Sequence, residues 1–281
     1  MDIKTRDVIF KVNDRLKPNM WYQSFKDKGL DTWEPYSYNI LDMFKNKEDG
    51  IFLDIGAWIG PLTLYAAHKY KEVVSIEADP VASIALKANI KSNNFQNIQV
   101  IDKAISNVDD ETVKFGGNGS LGNSESTLLV NDDNYNEITE KYTSVTKNTH
   151  TDIVNVQTVT LDTIINNTQI DVNKLALIKI DIEGSEKIVL PHIKDFLISC
   201  DAPLYLSLHP AFLGKDDLTN LVNLIYSIYK NGYNVTCDSE KTDITKEVLL
   251  QEVEDFYKIE DFSKVKPNDP GTRYFELFLE K

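Results

Sequence analysis

"LDIGAWIG", residues 53–60, places Asp54, Gly56 and Gly60 in a tight turn between an apolar strand and a helix. Turns of this kind hold nucleotide-like cofactors, and their residue types decide which one. A dinucleotide fingerprint reads G-x-G-x-x-G, its glycines admitting a pyrophosphate to a helix N-terminus. Here Asp54 takes the place of the first glycine, ahead of Gly56 and Gly60. A carboxylate beside a pyrophosphate is repulsive and cancels the attraction of the helix dipole. A nicotinamide-dependent oxidoreductase is therefore the weaker reading of this turn.

Working outward, "IFLDI" (51–55) is a short apolar run between Gly50 and Gly56, as expected of a strand buried on both faces. "GPLTLYAAHKY" follows as a helix with Pro61 in its first turn, and "EVVSIEADP" is a second strand. Asp79 is placed to cap the next helix, whose Val81, Ile84, Ala85 and Ala88 recur at helical spacing. "NIQVIDKAIS", "LALIKIDIEG" and "PLYLSLHP" are further strands, and a helix with Leu221, Leu224, Ile225 and Ile228 on one face follows the last. "YNVTC" and "RYFELFLEK" close the sheet. Strands alternating with helices at this interval predict an α/β fold with a parallel sheet and right-handed crossovers.

The alternation breaks between about 105 and 158, ahead of the fourth strand. "ETVKFGGNGSLGNSESTLL" reads as a strand entering a Gly/Ser/Asn-rich loop, and Asn131–Asp152 is polar, so this stretch is expected to be a lid or insertion. "NVQTVTL" is extended. Tyr36, Ile40, Leu41 and Phe44 at helical spacing predict a helical cap over residues 1–48, ahead of a main domain at 49–281.

The 30 Lys+Arg residues against 44 Asp+Glu give a net charge of −14, which disfavours a nucleic-acid partner. The first residues lack an apolar core long enough for a signal peptide, and no window approaches a membrane span. A cytoplasmic protein with no membrane partner is the expectation. Cys200 and Cys237 give neither a metal-binding spacing nor a disulfide framework.

S-adenosylmethionine is the cofactor whose charges suit the turn. Its α-ammonium and sulfonium are cationic, and Asp54 can orient the ammonium through backbone amides or water. Gly56 and Gly60 leave room for the methionyl tail and for close packing of the helix. Glu77 ends the second strand, where an acidic side chain accepts both ribose hydroxyls. Ribose recognition is common to both cofactors; Asp54 separates them.

"FLDIGAWIG", "IEADP", Leu161–Asp162 and "LIKIDIEGSE" together resemble the FkbM family of class I methyltransferases, across roughly residues 33–210. The resemblance implies a Rossmann-like three-layer sandwich around a mostly parallel, seven-stranded sheet with a reversed last hairpin. It also implies S-adenosylmethionine as methyl donor and O-methylation of hydroxyl groups on sugars or polyketide-like compounds. By motif, Asp54, Gly56, Ala57 and Gly60 would line the methionyl side, Glu77 would hold the ribose, and Asp102 to Ala104 would lie beside adenine. Ser207 departs from the family's "E-x-H-P", so a carboxylate expected at that position is missing.

In a strand successive side chains alternate, so Asp181 and Glu183 point to one face at the end of "LIKIDIEG", and His209 ends the next strand. Methylation of a hydroxyl needs its proton removed as the methyl moves, and a positioned base contributes about two to four orders of magnitude in rate. His209 is the candidate base, with Asp181 or Glu183 orienting it or the sugar. The alternatives are a His209 bonded to a carbonyl beside Pro210, an Asp181 on the methionyl ammonium, and a Glu183 capping the helix that starts near Ser185. The same three residues make an oxygen/nitrogen ligand set for magnesium or manganese, though their spacing does not demand a metal.

Lys179, in an otherwise apolar strand, needs an acidic partner. Trp33, Tyr36 and Trp58 are either stacking residues for adenine or a sugar, or core. "GGNGSLGNSES" (116–126) can supply polar donors over the site, which favours a sugar or glycan acceptor over a lipid. His68, His150 and His192 lie off the strand ends. A non-catalytic, cofactor-binding regulator remains the alternative from a different functional class.

Overall fold

Alternation at the N-terminus builds a hairpin where the sequence reading expected helix. The structure, a computed structural model, describes residues 1–13, 34–44, 49–117, 120–131, 152–235, 241–260 and 275–281. Ile3, Thr5, Val8, Phe10 and Val12 are all buried, a period of two that makes β1 (Asp2–Thr5) and β2 (Val8–Lys11) an antiparallel pair. Arg6, at φ 52 in the two-residue turn, takes the left-handed conformation that tight hairpins require. Only α1 (Pro35–Met43) supplies the expected helix in the described part of 1–48, burying Tyr36, Ile40 and Leu41. Trp33 lies outside the described residues, as do His150 and Cys237.

β3 (Ile51–Ile55), α2 (Pro61–Ala66), β4 (Glu72–Ile76), α3 (Pro80–Asn93) and β5 (Ile98–Ile101) follow in the anticipated alternation. Asp79 caps α3 by accepting from the amides of Val81 and Ala82. The helix, however, buries Ala82, Ala85, Leu86 and Asn89, and Ile84 is 61% exposed. Asn89 fixes this rotation, since its carboxamide donates to the Ile59 carbonyl and accepts from the Asn13 amide.

The insertion is a sheet of its own. β6 (Ala104–Ile105), β7 (Thr112–Gly117), β8 (Ser126–Thr127) and β9 (Ile153–Val159) pair in the order β6-β9-β7-β8. Residues 132–151, which hold most of the polar stretch, lie outside the described residues. After α4 (Leu161–Thr168) the main sheet resumes with β10 (Leu175–Ile180). Then come α5 (Glu186–His192), α6 (Lys194–Ser199), β11 (Leu204–Leu208), α7 (Lys215–Ile228), β12 (Asn231–Val235), β13 (Lys241–Asp243), α8 (Lys246–Phe256) and β14 (Phe275–Glu280).

The main sheet runs β13-β12-β14-β11-β10-β3-β4-β5, parallel from β5 to β11, with β14 antiparallel to both its neighbours. Seven strands were expected; among the described residues there are eight, because β13 adds an edge beside β12. Side chains leave β3 alternately into two cores, Leu53 and Ile55 on one face and Phe52 on the other. Helices cover both faces, which is the three-layer arrangement. Strand order reverses between β3 and β10, and such switch points open a crevice at the carboxyl ends of the strands. Among the described residues no helix is long and apolar enough to cross a membrane.

Candidate active site

A cavity of about 550 Å³ occupies that crevice. Its floor is the turn after β3, where Gly56 adopts φ +83. A Cβ at Gly56 would stand 1.8 Å from the carbonyl oxygen of Asp181, so only glycine lets the turn abut the end of β10. Asp54 and Ala57 line the cavity with it. Gly60 does not face the expected methionyl tail. At φ +93 it packs α2 on α3, and a Cβ there would lie 2.5 Å from Leu86 Cδ1. Three cavity-lining residues other than glycine, Glu34, Trp58 and Glu183, also hold positive φ angles. Backbone strain of this kind persists where the surroundings over-determine it, and it gathers at functional sites.

Asp54 is fully buried, with Oδ2 accepting from Thr63 Oγ1 at 2.6 Å and Oδ1 making no hydrogen bond. Burial raises its carboxyl above the ordinary range, against the pull of Lys179 and Thr63. Lys179 lies between two carboxylates, 3.4 Å from both Asp54 Oδ1 and Asp181 Oδ2, and donates to the Gly56 carbonyl at 2.6 Å. Burial alone would lower the Lys179 ammonium; Asp181, Asp54 and Glu34 outweigh it and hold the group above its usual value. Two carboxylates, Asp54 and Asp181, around the single Lys179 ammonium leave net negative charge beside the glycine cradle, which fits a cationic group such as the ammonium of S-adenosylmethionine.

Glu77 lines the other half of the cavity. It accepts from the Trp58 amide through Oε2 and from the Asp79 amide through Oε1, each at 2.6 Å. Burial still pushes its carboxyl up to about 7, with Asp79 adding to the effect of burial and both amides opposing it. The fixed carboxylate retains lone pairs for two hydroxyl donors. Ala104 lines this end too, with Ile105 and Phe115. Asp102 does not reach it: its carboxylate turns outward to Ser83 and Lys87 on α3. The Ser83 hydroxyl and the Lys87 ammonium hold the carboxylate there, which explains the difference from expectation.

At the far end Asp181, Glu183 and His209 converge. His209 Nε2 is 3.3 Å from Asp181 Oδ1 and 3.5 Å from Glu183 Oε2; Nδ1 is 3.1 Å from Glu186 Oε1. Burial would lower the imidazole, but Glu183, Glu186 and Asp181 raise it well above its usual value. Glu183 is pushed up to about 8 by burial, with Asp181 and Glu186 adding to this and His209 opposing it. Asp181 is held below the carboxylate range because Lys179 and His209 outweigh its burial. Ser185, not Glu183, is the N-cap residue of α5.

Three acidic residues at the site were missed in the sequence. Glu186 was in plain view inside "DIEGSE", one helical turn from Ile182, whose amide it accepts at 3.0 Å while holding His209. Glu34 and Glu276 are brought in by the fold from α1's N-cap position and from β14, and nothing local marks them. Tyr36 is core, whereas Trp58 lines the cavity and donates through Nε1 to the Gly122 carbonyl at 2.8 Å. The Gly122 amide in turn donates to Asp79 Oδ2 at 2.6 Å, which pins the Gly/Ser-rich loop over the half of the cavity that holds Glu77. Asn123, Ser124 and Ser126 of that loop face the cavity.

Residues 54–234 match the methyltransferase FkbM domain, which spans the turn, Glu77 and the far-end cluster together. The chain belongs to that family. A stretch of this FkbM-domain chain is 36% identical over 94 residues to an uncharacterized protein, MJ1452, of Methanocaldococcus jannaschii, covering 31% of this chain and 33% of that one. The crystal structure of methyltransferase FkbM from Methylobacillus flagellatus KT is 20% identical, with a TM-score of 0.41 over 70% of this chain and 43% of that one. The FkbM-domain chain thus spans under half the length of both. TYW2 of M. jannaschii in complex with AdoMet is 13% identical, with a TM-score of 0.43 over 99% of this chain and 84% of that one.

Proposed function

We propose that this FkbM-domain chain is an S-adenosylmethionine-dependent O-methyltransferase acting on a hydroxyl of a sugar, glycan or related small molecule. The continuity of one cavity carries the reading, with Glu77 and Ala104 at one end and Asp181, Glu183 and His209 at the other. When bound, S-adenosylmethionine supplies an electrophilic methyl group. Glu77 holds the ribose, Ala104 flanks the base, and Asp54 with the Gly56–Ala57 turn receives the cationic methionyl end.

The far-end residues handle the acceptor. Glu183, Glu186 and Asp181 hold the imidazole well above its usual value, which suits His209 to positioning the acceptor by donating a hydrogen bond rather than to serving as the expected base. Glu183, titrating at about 8, is the group whose proton affinity matches a base working near neutrality. The far end is lined by the carboxyl groups of Glu34, Asp181, Glu183 and Glu276, which offer hydrogen-bond partners for the hydroxyls of a neutral polyol. Methyl transfer from S-adenosylmethionine to a panel of glycosides tests the proposal. A methyl ether product, lost by roughly two orders of magnitude in kcat in Glu183→Gln, is expected. Cofactor binding without transfer to any hydroxylated acceptor would overturn it.

A further inference from the structure

We propose that Asp181, Glu183 and His209 form a binding site for one divalent cation of the manganese or magnesium class. This rests on the preceding reading of the far end as the acceptor site for its purpose, though not for its occupancy. One ligand atom from each residue lies within 4.8 Å of the others, and two of the separations are 3.3 and 3.5 Å. Adjacent ligands around an octahedral ion with bonds of about 2.1 Å stand roughly 3.0 Å apart. The two pairs that involve His209 therefore need to close by only a few tenths of an ångström, and the Asp181–Glu183 pair lies within 4.8 Å.

A second feature points to a cation independently of the spacing. Glu183 is 9% exposed, and its Oε2 makes no hydrogen bond. A protonated Nε2 carries one hydrogen and can direct it at Asp181 or at Glu183, but not at both. A divalent ion touches all three donors at once and compensates the buried oxygen. The backbone turns sharply at this point, with Glu183 at φ 51 and Gly184 at φ +88.

The surroundings match what a metal-bound histidine requires. Glu186 Oε1 holds Nδ1 at 3.1 Å and is itself fixed by the Ile182 amide at 3.0 Å. A carboxylate on the remote nitrogen sets the tautomer that turns the Nε2 lone pair toward the ion. Two carboxylates and one imidazole, with no thiolate, form a donor set for manganese or magnesium. Binding would displace the Nε2 proton and engage the Glu183 carboxylate, so in the loaded site the ion would take over the proton-handling roles of these two side chains by making a bound acceptor hydroxyl more acidic.

The test is titration of the full chain with Mn²⁺ alone, after chelation and buffer exchange, followed by loss of the free-ion electron paramagnetic resonance signal. One ion per chain is expected. Affinity should fall at least tenfold in Glu183→Gln and in His209→Ala, and about tenfold or more in Glu186→Gln. S-adenosylhomocysteine binding by each variant serves as the check on folding. No saturable Mn²⁺ binding to the wild type, or equal binding by folded Glu183→Gln and His209→Ala, overturns the site. Failure of the methyltransferase reading shows separately, as absent cofactor binding or absent transfer whatever the metal.

Discussion

Ser207 on β11 and Glu276 on β14 are register partners across an antiparallel pair, and both line the cavity. The carboxylate expected on β11 is absent, and one arrives from the neighbouring strand instead. Tyr205 donates to Glu276 at 3.3 Å, and burial with nearby Asp181 pushes its carboxyl up to about 7. Under the proposed function, Glu276 holds an acceptor hydroxyl. Glu276→Ala should raise the acceptor KM by roughly tenfold or more, the cost of one charged hydrogen bond. Affinity for S-adenosylhomocysteine should not change, and steady-state kinetics with calorimetry check both.

Lys179 ties Asp54 on β3 to Asp181 of the far-end cluster. Replacing it with methionine leaves Asp54 and Asp181 without their shared cation in a buried setting. Breaking a buried ion pair from one side costs about 3–5 kcal/mol. Lys179→Met should therefore lower the denaturant midpoint of unfolding by an amount of that order. An unchanged midpoint would mean that water, not Lys179, compensates the two carboxylates.

Much of this was legible in the sequence, and the failures have physical causes. "LALIKIDIEG" advertises a buried strand because every residue of β10 from Leu175 to Ile180 is apolar save Lys179, and all are buried. The chemistry-bearing residues at strand ends followed from alternation. The hairpin at residues 2–11 was equally legible, in Ile3, Val8 and Phe10 around the Arg6–Asp7 turn, but the helical spacing at 36–44 outweighed it. Asp102 was misplaced because a strand end fixes the backbone position and leaves the side chain to its neighbours, here Ser83 and Lys87. Glu34 and Glu276 depend on tertiary contacts that no local pattern encodes.

The two turn glycines do different work, and alanine separates them. In Gly56→Ala the new methyl meets backbone, which cannot yield, so the variant should lose cofactor binding and fold poorly. In Gly60→Ala it meets the end of the Leu86 side chain, which can move, leaving mainly the cost of positive φ. That variant should lose about 1–2 kcal/mol of stability and still bind S-adenosylhomocysteine. Thermal unfolding and calorimetry on both provide the comparison.

Glu77 makes cofactor affinity pH-dependent. Its carboxyl titrates at about 7 in the free protein, raised by burial, and the ribose hydroxyls donate to the charged form. Binding therefore favours loss of the proton, and affinity falls as pH drops through 7. S-adenosylhomocysteine should bind roughly tenfold more weakly at pH 6 than at pH 8.5. Glu77→Gln should bind weakly at both values, with the dependence flattened.

The most direct test of the account is a crystal structure with S-adenosylhomocysteine bound. The account predicts both ribose hydroxyls on the Glu77 carboxylate, the amino-acid end at Asp54 and Gly56, and the sulfur facing Asp181 and His209. An adenosyl group seated elsewhere, or a sulfur turned away from that cluster, would contradict it.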